Sequence, residues 1–258
     1  MEQLLADGQV RARRFGAGAP VVLLHSLLAD STSWHVLVPH LTGHAQVTVI
    51  DLPGFCGLPA VTGGLAALSA VLCRALAELA LPSAPMLVGN GFGSFLALRI
   101  ALDQPEHVDR LALLGCGTKF SDPGRAAFAA MREAATTRGL AAIADSAMAR
   151  LFGAAFRADH QALVDARRAA FLRTDPAMFT AACRALETLD LDADITRLAC
   201  KMLLLVGSED QATPPSMAEA LAAQCPAARL VILQGLAHVP QLQDPALIGE
   251  YLVSFMAA

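Results

Sequence analysis

No run of about 18 uninterrupted apolar residues occurs in the 258-residue chain, although 55% of it is apolar, and a membrane-spanning helix is therefore excluded. Alanine supplies much of that fraction. The most apolar helical pattern, 65–81, carries Arg74 and Glu78 four residues apart, a spacing that leaves one solvated edge. C-x-x-C pairs are missing too. Cys56, Cys73, Cys116, Cys183, Cys200 and Cys225 lie far apart, which argues against a zinc site or a disulfide framework and for buried small hydrophobes. The opening stretch MEQLLADGQVRARRF places its positive charges behind a short, acid-bearing apolar patch, the wrong order for a secretory signal; the cytoplasm is the expected location. Charge blocks are absent as well, at a net charge of -4, so neither nucleic acid nor an anionic membrane is an expected partner. The expected partner is a small-molecule substrate with an apolar part, and the expected assembly is a monomer or homodimer.

What is present is an alternation of strand and helix signals. After an expected edge strand at 9–15, Val21-Val22-Leu23-Leu24 is a short apolar run bounded by breakers, as expected of a strand buried on both faces. A second expected buried strand, Val47 to Ile50, ends in Asp51-Leu52-Pro53-Gly54-Phe55-Cys56-Gly57, whose Pro and Gly content forces a loop. A helix over 65–81 is closed by Pro82. A strand over 85–88 leads through Gly89-Asn90-Gly91-Phe92-Gly93 into a helix over 92–103, and Leu111 to Leu114 forms the next strand. The sheet resumes at Met202 to Val206 and Leu230 to Leu233. Such alternation predicts parallel βαβ units with right-handed crossovers, and so a doubly wound, mostly parallel α/β sheet. Ligands bind at the C-terminal ends of the strands in such sheets.

Between residues 118 and 199 the strand signal vanishes and Ala-rich segments with helically spaced charges replace it. No Gly/Ser-rich linker marks either end. The expected organisation is a core of residues 1–117 and 200–258 with a helical lid insertion over 118–199. Most of its large side chains (Phe120, Phe128, Met131, Met148, Phe152, Phe156, Phe171, Met178, Phe179) are expected in the lid's own core, with a minority lining an apolar pocket.

The loops at the strand ends carry a further pattern. His25-Ser26 follows the first buried strand, the Asp51–Gly57 loop follows the second, and Gly89-x-Gly91-x-Gly93 makes a sharp strand-to-helix turn. Downstream come Gly207-Ser208-Glu209-Asp210 with Thr213-Pro214, then Gly235-Leu236-Ala237-His238. In this order the chain resembles the α/β-hydrolase fold family over nearly its whole length: a His-Gly oxyanion loop, a D-x-P-G-x-G loop (with Cys56 and Pro59 as departures), the G-x-S-x-G nucleophile elbow, an acid loop and a histidine loop. By that resemblance His238 is a general base and Asp210 the acid that fixes its tautomer. The resemblance also makes the backbone amides of Leu27 and Phe92 the oxyanion hole.

One position departs from the family. Gly91 stands where the elbow carries Ser, and it has no side chain to supply a nucleophile. Deleting the nucleophile of such a triad costs on the order of a millionfold in turnover, whereas the oxyanion hole and binding retain roughly a thousandfold over water. The covalent route implied by the family is closed at this position. Gly91 also has a structural reading, since glycine meets strained dihedrals freely, and Asp210 has one as a helix cap. Among substitutes, Ser94 is expected to point away from His238, Cys116 to be buried as a plain thiol at the active edge, and Ser26 to touch substrate or water rather than serve as nucleophile; Asn90 and Cys116 are further candidate substrate contacts. The glycines also invite a dinucleotide-binding reading, but Ser94 breaks the G-x-G-x-x-G pattern and no acid ends the next strand.

These residues point to a cofactor-free small-molecule enzyme in which the His238–Asp210 dyad activates water, held in the space above Gly91, against a carbonyl, ester or lactone-type substrate, or in a lyase-like reaction. On this reading Gly91→Ser creates ester turnover. A catalytically inactive ligand-binding or interaction protein on the same fold is the alternative.

Overall fold

Runs that are apolar at every position can be satisfied only by burial on both faces, and these become the interior of one eight-stranded sheet. The computed structural model describes residues 2–258. Its strands are β1 (Glu2–Leu5), β2 (Val10–Phe15), β3 (Ala19–Leu24), β4 (Ala45–Asp51), β5 (Met86–Asn90), β6 (Arg110–Leu114), β7 (Lys201–Gly207) and β8 (Ala228–Leu233). They lie in the order β1-β2-β4-β3-β5-β6-β7-β8. β1 and β2 pair antiparallel, β2 joins β4 antiparallel, and every other pairing is parallel. The edge strand expected at 9–15 is thus one arm of a hairpin. Its partner β1 has only Leu5 buried, so it lacks the alternation that announces a strand in sequence.

Helices cover both faces. The short α1 (Val38–Leu41) and the C-terminal α11 (Pro245–Ala257) frame one of them, where Leu41, Ile248 and Leu252 pack on Val21, Leu23 and Leu203; the short α10 (Pro240–Gln243) precedes α11 with its Leu242 in the opposite cluster. On the other face lie α2 (Gly64–Glu78), α3 (Phe92–Asp103) and α9 (Pro215–Gln224), with Leu72, Leu96 and Leu221 among the buried side chains. α2 stops short of the Leu81 expected from periodicity. Ala80 takes a φ of 47°, a left-handed conformation that a helix cannot continue through. Among the described residues no helix is long and apolar enough to cross a membrane.

Between β6 and β7 the chain is helical only: α4 (Asp122–Arg138), α5 (Ala144–Leu151), α6 (Ala154–Asp159), α7 (Gln161–Phe171) and α8 (Pro176–Glu187). The two ends of this excursion are clipped together by a bridge between Lys119 and Asp190 and by the Leu191 amide donating to the Thr118 carbonyl at 3.0 Å. Its far side is tied to the strand-end loops. Asp30, 3% exposed, caps the turn at Thr32 and receives Arg167 of α7 at 3.2 Å. The Asp175 amide donates to the Gly54 carbonyl at 2.8 Å. Gly54 has a φ of +77°, and a Cβ there would come within 2.2 Å of Met178 on α8; the glycine lets this helix approach.

Candidate active site

The turn from β5 into α3 contains three glycines that are required for different reasons. A Cβ at Gly89 would meet the Gly93 carbonyl oxygen at 2.4 Å, and one at Gly93 would meet the Leu24 carbonyl oxygen at 2.0 Å; at both, the backbone itself demands glycine. Gly91 differs. Its φ of 51° and ψ of -111° form a strained turn, and a Cβ there would meet side chains: His238 Nε2 at 2.5 Å and Ser26 Oγ at 2.7 Å. The space above Gly91, expected to hold water, is thus occupied by an imidazole and a hydroxyl. Ser94 points away, as expected, its Oγ donating to the Gly89 and Leu114 carbonyls at 2.9 and 3.3 Å.

The loops after β7 and β8 bring the acid and the imidazole together. Asp210 and His238 are each 3% exposed, and His238 Nδ1 lies 2.9 Å from Asp210 Oδ2. The rest of the carboxylate is saturated. Oδ1 accepts the Ala212 and Thr213 amides at 2.8 and 2.9 Å, and Oδ2 accepts the Thr213 hydroxyl at 2.8 Å. A carboxylate that only accepts assigns the proton to Nδ1 and leaves the Nε2 lone pair free to accept one. That lone pair faces Ser26 Oγ at 3.2 Å. The His238 main chain is also fixed: its amide donates to the Leu151 carbonyl at 3.2 Å, and its carbonyl accepts Asn90 Nδ2 at 2.8 Å. Glu209, the neighbouring acid, is exposed.

Ser26 is held as firmly. The fully buried His25 ring donates from Nδ1 to the Ser26 carbonyl at 2.9 Å, and its Nε2 accepts the Leu52 amide at 3.3 Å, clamping the loop after β3 to the loop after β4. Accepting at Nε2 needs a neutral ring. Burial pushes the His25 imidazole below its ordinary value of 6.5, against smaller opposing effects of the Ser26 carbonyl, Asp30 and Asp51. A histidine whose folded value is lowered contributes stability in full above about 6.5, and that stability is lost as pH falls below it. His25→Gln is therefore expected to be less stable than the wild type at pH 8 and to lose less additional stability between pH 7 and 5, as read by urea unfolding at each pH.

These groups open onto a cavity of about 30 Å³ lined by Ser26, Leu27, Leu28, Gly91, Phe92, Phe95, Phe120, Phe128, Met131, Arg150, Leu186, Ala212, Thr213 and His238. Of the large side chains of the helical excursion, a minority line the cavity, as expected: Phe120, Phe128 and Met131; Phe171, Met178 and Phe179 are buried elsewhere. The Leu27 and Phe92 amides donate to no protein acceptor among the described residues. Asn90 and Cys116, taken as substrate contacts, do not line the cavity. Asn90 spends both amide hydrogens on the Leu114 and His238 carbonyls, and the Cys116 thiol is fully buried, pushed far above the ordinary range by burial and then by Asp210. Arg150, on the last turn of α5, carried no sequence motif. It lines the cavity with no hydrogen bond or ion pair among the described residues, and burial lowers its pKa against smaller opposing effects of Cys183 and Asp210. No group of three His, Cys, Asp or Glu among the described residues is placed to hold a metal ion.

A family model described as alpha/beta hydrolase fold matches residues 19–245. The chain belongs to that family. It is 28% identical over 256 residues to a pimeloyl-[acyl-carrier protein] methyl ester esterase of Aeromonas hydrophila, covering 96% of this chain and 99% of the relative. A putative carbamate hydrolase, RutD, of Agrobacterium fabrum is 27% identical over 252 residues, covering 94% and 95%. Among solved structures, the enol-lactonase of Burkholderia xenovorans LB400 superposes with a TM-score of 0.92 over the full length of both chains at 21% identity, a likeness of fold. For this family member, the eight-stranded sheet and its flanking helices are those of the fold.

Proposed function

We propose that this chain hydrolyses a small ester or lactone, with His238 as general base, Asp210 as the group that fixes its tautomer, and the Leu27 and Phe92 amides as the oxyanion hole. Gly91 stands at the family's nucleophile position and contributes no reacting atom. The observation that carries the reading is the 2.9 Å bond between Asp210 and His238 Nδ1, which turns the Nε2 lone pair towards a cavity with two unengaged amides. A buried His–Asp pair retained only for packing has no need of those amides. Sequence relatives named as an ester esterase and a carbamate hydrolase support acyl chemistry.

The substrate we infer has an apolar body and an anionic group. Phe95, Phe120, Phe128, Met131 and Leu186 supply the apolar wall, and Arg150 is the cation beside it with no acid of its own. A guanidinium binds a carboxylate most strongly where water is excluded. A cavity of about 30 Å³ has room for about two waters, so a substrate enters only when the helices over 118–199 shift outward; in this reading they form a lid.

The test is a panel of neutral and carboxylate-bearing esters and lactones. The acidic members are expected to turn over best, and His238→Ala to lose about a thousandfold or more in kcat. Arg150→Ala is expected to raise KM for acidic members about tenfold or more and to leave neutral ones within twofold, in line with the loss of a charge-assisted contact. Unchanged turnover in His238→Ala would overturn the assignment of the base.

A further inference from the structure

We infer that Ser26 is the nucleophile, moved from the elbow to the neighbouring loop, so that Ser26, His238 and Asp210 form the working triad. This rests on the hydrolase reading above and supplies it with a nucleophile and a covalent acyl-enzyme step.

The hydroxyl is where a nucleophile must be. Ser26 Oγ lies 3.2 Å from His238 Nε2, within the reach required of a nucleophile and its base. It lies 2.7 Å from the position a Cβ at residue 91 would occupy. The side chain thus fills, from the opposite side, the space that the elbow residue would otherwise hold. Ser26 and Gly91 form one arrangement: any side chain at 91 would press on both this hydroxyl and the imidazole that faces it. The residue is 2% exposed, and its main chain is clamped through the His25 ring to the Leu52 amide, so the hydroxyl does not depend on a mobile loop for its position. Its hydrogen-bond partner is the catalytic imidazole, a pairing that a merely structural serine, satisfied by a nearby carbonyl as Ser94 is, has no need to make.

The oxyanion hole suits the exchange. In the family the hole comprises the amide following the nucleophile and one from the loop after the first parallel strands. With Ser26 as nucleophile, the Leu27 amide is the one that follows it and the Phe92 amide the one across the cleft. The same two donors serve with their roles exchanged.

The chemistry balances without another reactant. Ser26 Oγ bonds to the substrate carbonyl carbon as its proton passes to His238 Nε2, and the carbonyl π pair moves onto the oxygen. The tetrahedral adduct collapses, the bond to the leaving oxygen breaks, and His238 returns the proton to it. Water then attacks the Ser26 ester, giving a proton to Nε2, and collapse restores the Ser26 hydroxyl and releases the acid.

The test uses the full chain and a fluorophosphonate probe, with peptide mapping of the adduct, beside burst kinetics on an activated ester. Expected is one equivalent of adduct on Ser26, lost in Ser26→Ala and in His238→Ala, together with a burst of leaving group that Ser26→Ala abolishes along with at least a hundredfold of steady-state turnover. Circular dichroism of Ser26→Ala is expected to match the wild type, since the clamp uses the main-chain carbonyl; a loss of signal in that variant is checked with Ser26→Thr, which keeps the hydroxyl and is expected to keep labelling. Turnover that survives Ser26→Ala but not His238→Ala would overturn the nucleophile and leave the water-activating dyad standing. An adduct on another residue, or none on the wild-type protein, would overturn it as well, and turnover that survives His238→Ala would overturn the hydrolase reading beneath it.

Discussion

Asp210→Asn is expected to cut turnover by about ten-thousandfold at neutral pH while leaving the fold intact, the larger of the effects that follow from the hydrogen-bond pattern around the base. The two oxygens of Asp210 face different partners. Oδ1 receives two backbone amides, from Ala212 and Thr213, and Oδ2 receives His238 Nδ1 and the Thr213 hydroxyl. An asparagine must put its oxygen towards the two amides, because backbone N–H groups cannot accept. Its NH2 then faces His238 and donates to Nδ1, which drives the ring proton to Nε2. The imidazole now presents a donor to Ser26 Oγ, and a base that already holds its proton cannot take another. Volume and burial are unchanged, so the melting temperature is expected to move by only a few degrees, whereas kcat collapses. Turnover within tenfold of the wild type would show that the tautomer does not control the reaction.

Much of this site was legible because the fold places its loops predictably. Strands such as Val21–Leu24, apolar throughout, and Val47–Ile50, apolar but for Thr48, admit only an interior position, and parallel strands put the loops that follow them on one edge. Asp210 and His238 were identifiable from the order of those loops. The strand signal vanishes over residues 118–199, and the structure holds α4 to α8, Asp122 to Glu187, in that stretch. What escaped was anything decided by side chains meeting across the fold. Ser26 and His238 are 212 residues apart in sequence, and no local pattern says that one hydroxyl reaches the other's ring. Arg150 sits in an Ala-rich helix among many arginines, and only its lack of a partner at the cavity wall distinguishes it. Asn90 read as a contact because it lies inside the elbow; its two amide hydrogens were already claimed by carbonyls that tertiary packing delivers. The same holds for Gly91. Its absent side chain suggested room for water, while the structure fills the room with groups from two other loops.

Gly91→Ser on its own is expected to lower turnover by at least tenfold instead of creating it, and the reason is that occupied space. The new Cβ would lie 2.5 Å from His238 Nε2 and 2.7 Å from Ser26 Oγ, and contact distances this short force both to give. The imidazole is the less able to move, since Asp210 holds its ring and Leu151 and Asn90 hold its main chain; the Ser26 hydroxyl rotates away and loses its base. A residue with a side chain at φ 51°, ψ -111° also adds strain, and strain with crowding together cost about 2 kcal/mol, a fall in melting temperature of roughly 5 °C. Ser26→Ala in the same chain removes the crowded oxygen and leaves the serine at 91 as the hydroxyl nearest to Nε2. The double variant is expected to turn over ester faster than either single variant, an inversion of sign that independent sites cannot give. Steady-state kcat/KM for the wild type, both singles and the double measures it, and multiplicative losses would show that residues 26 and 91 do not share one site.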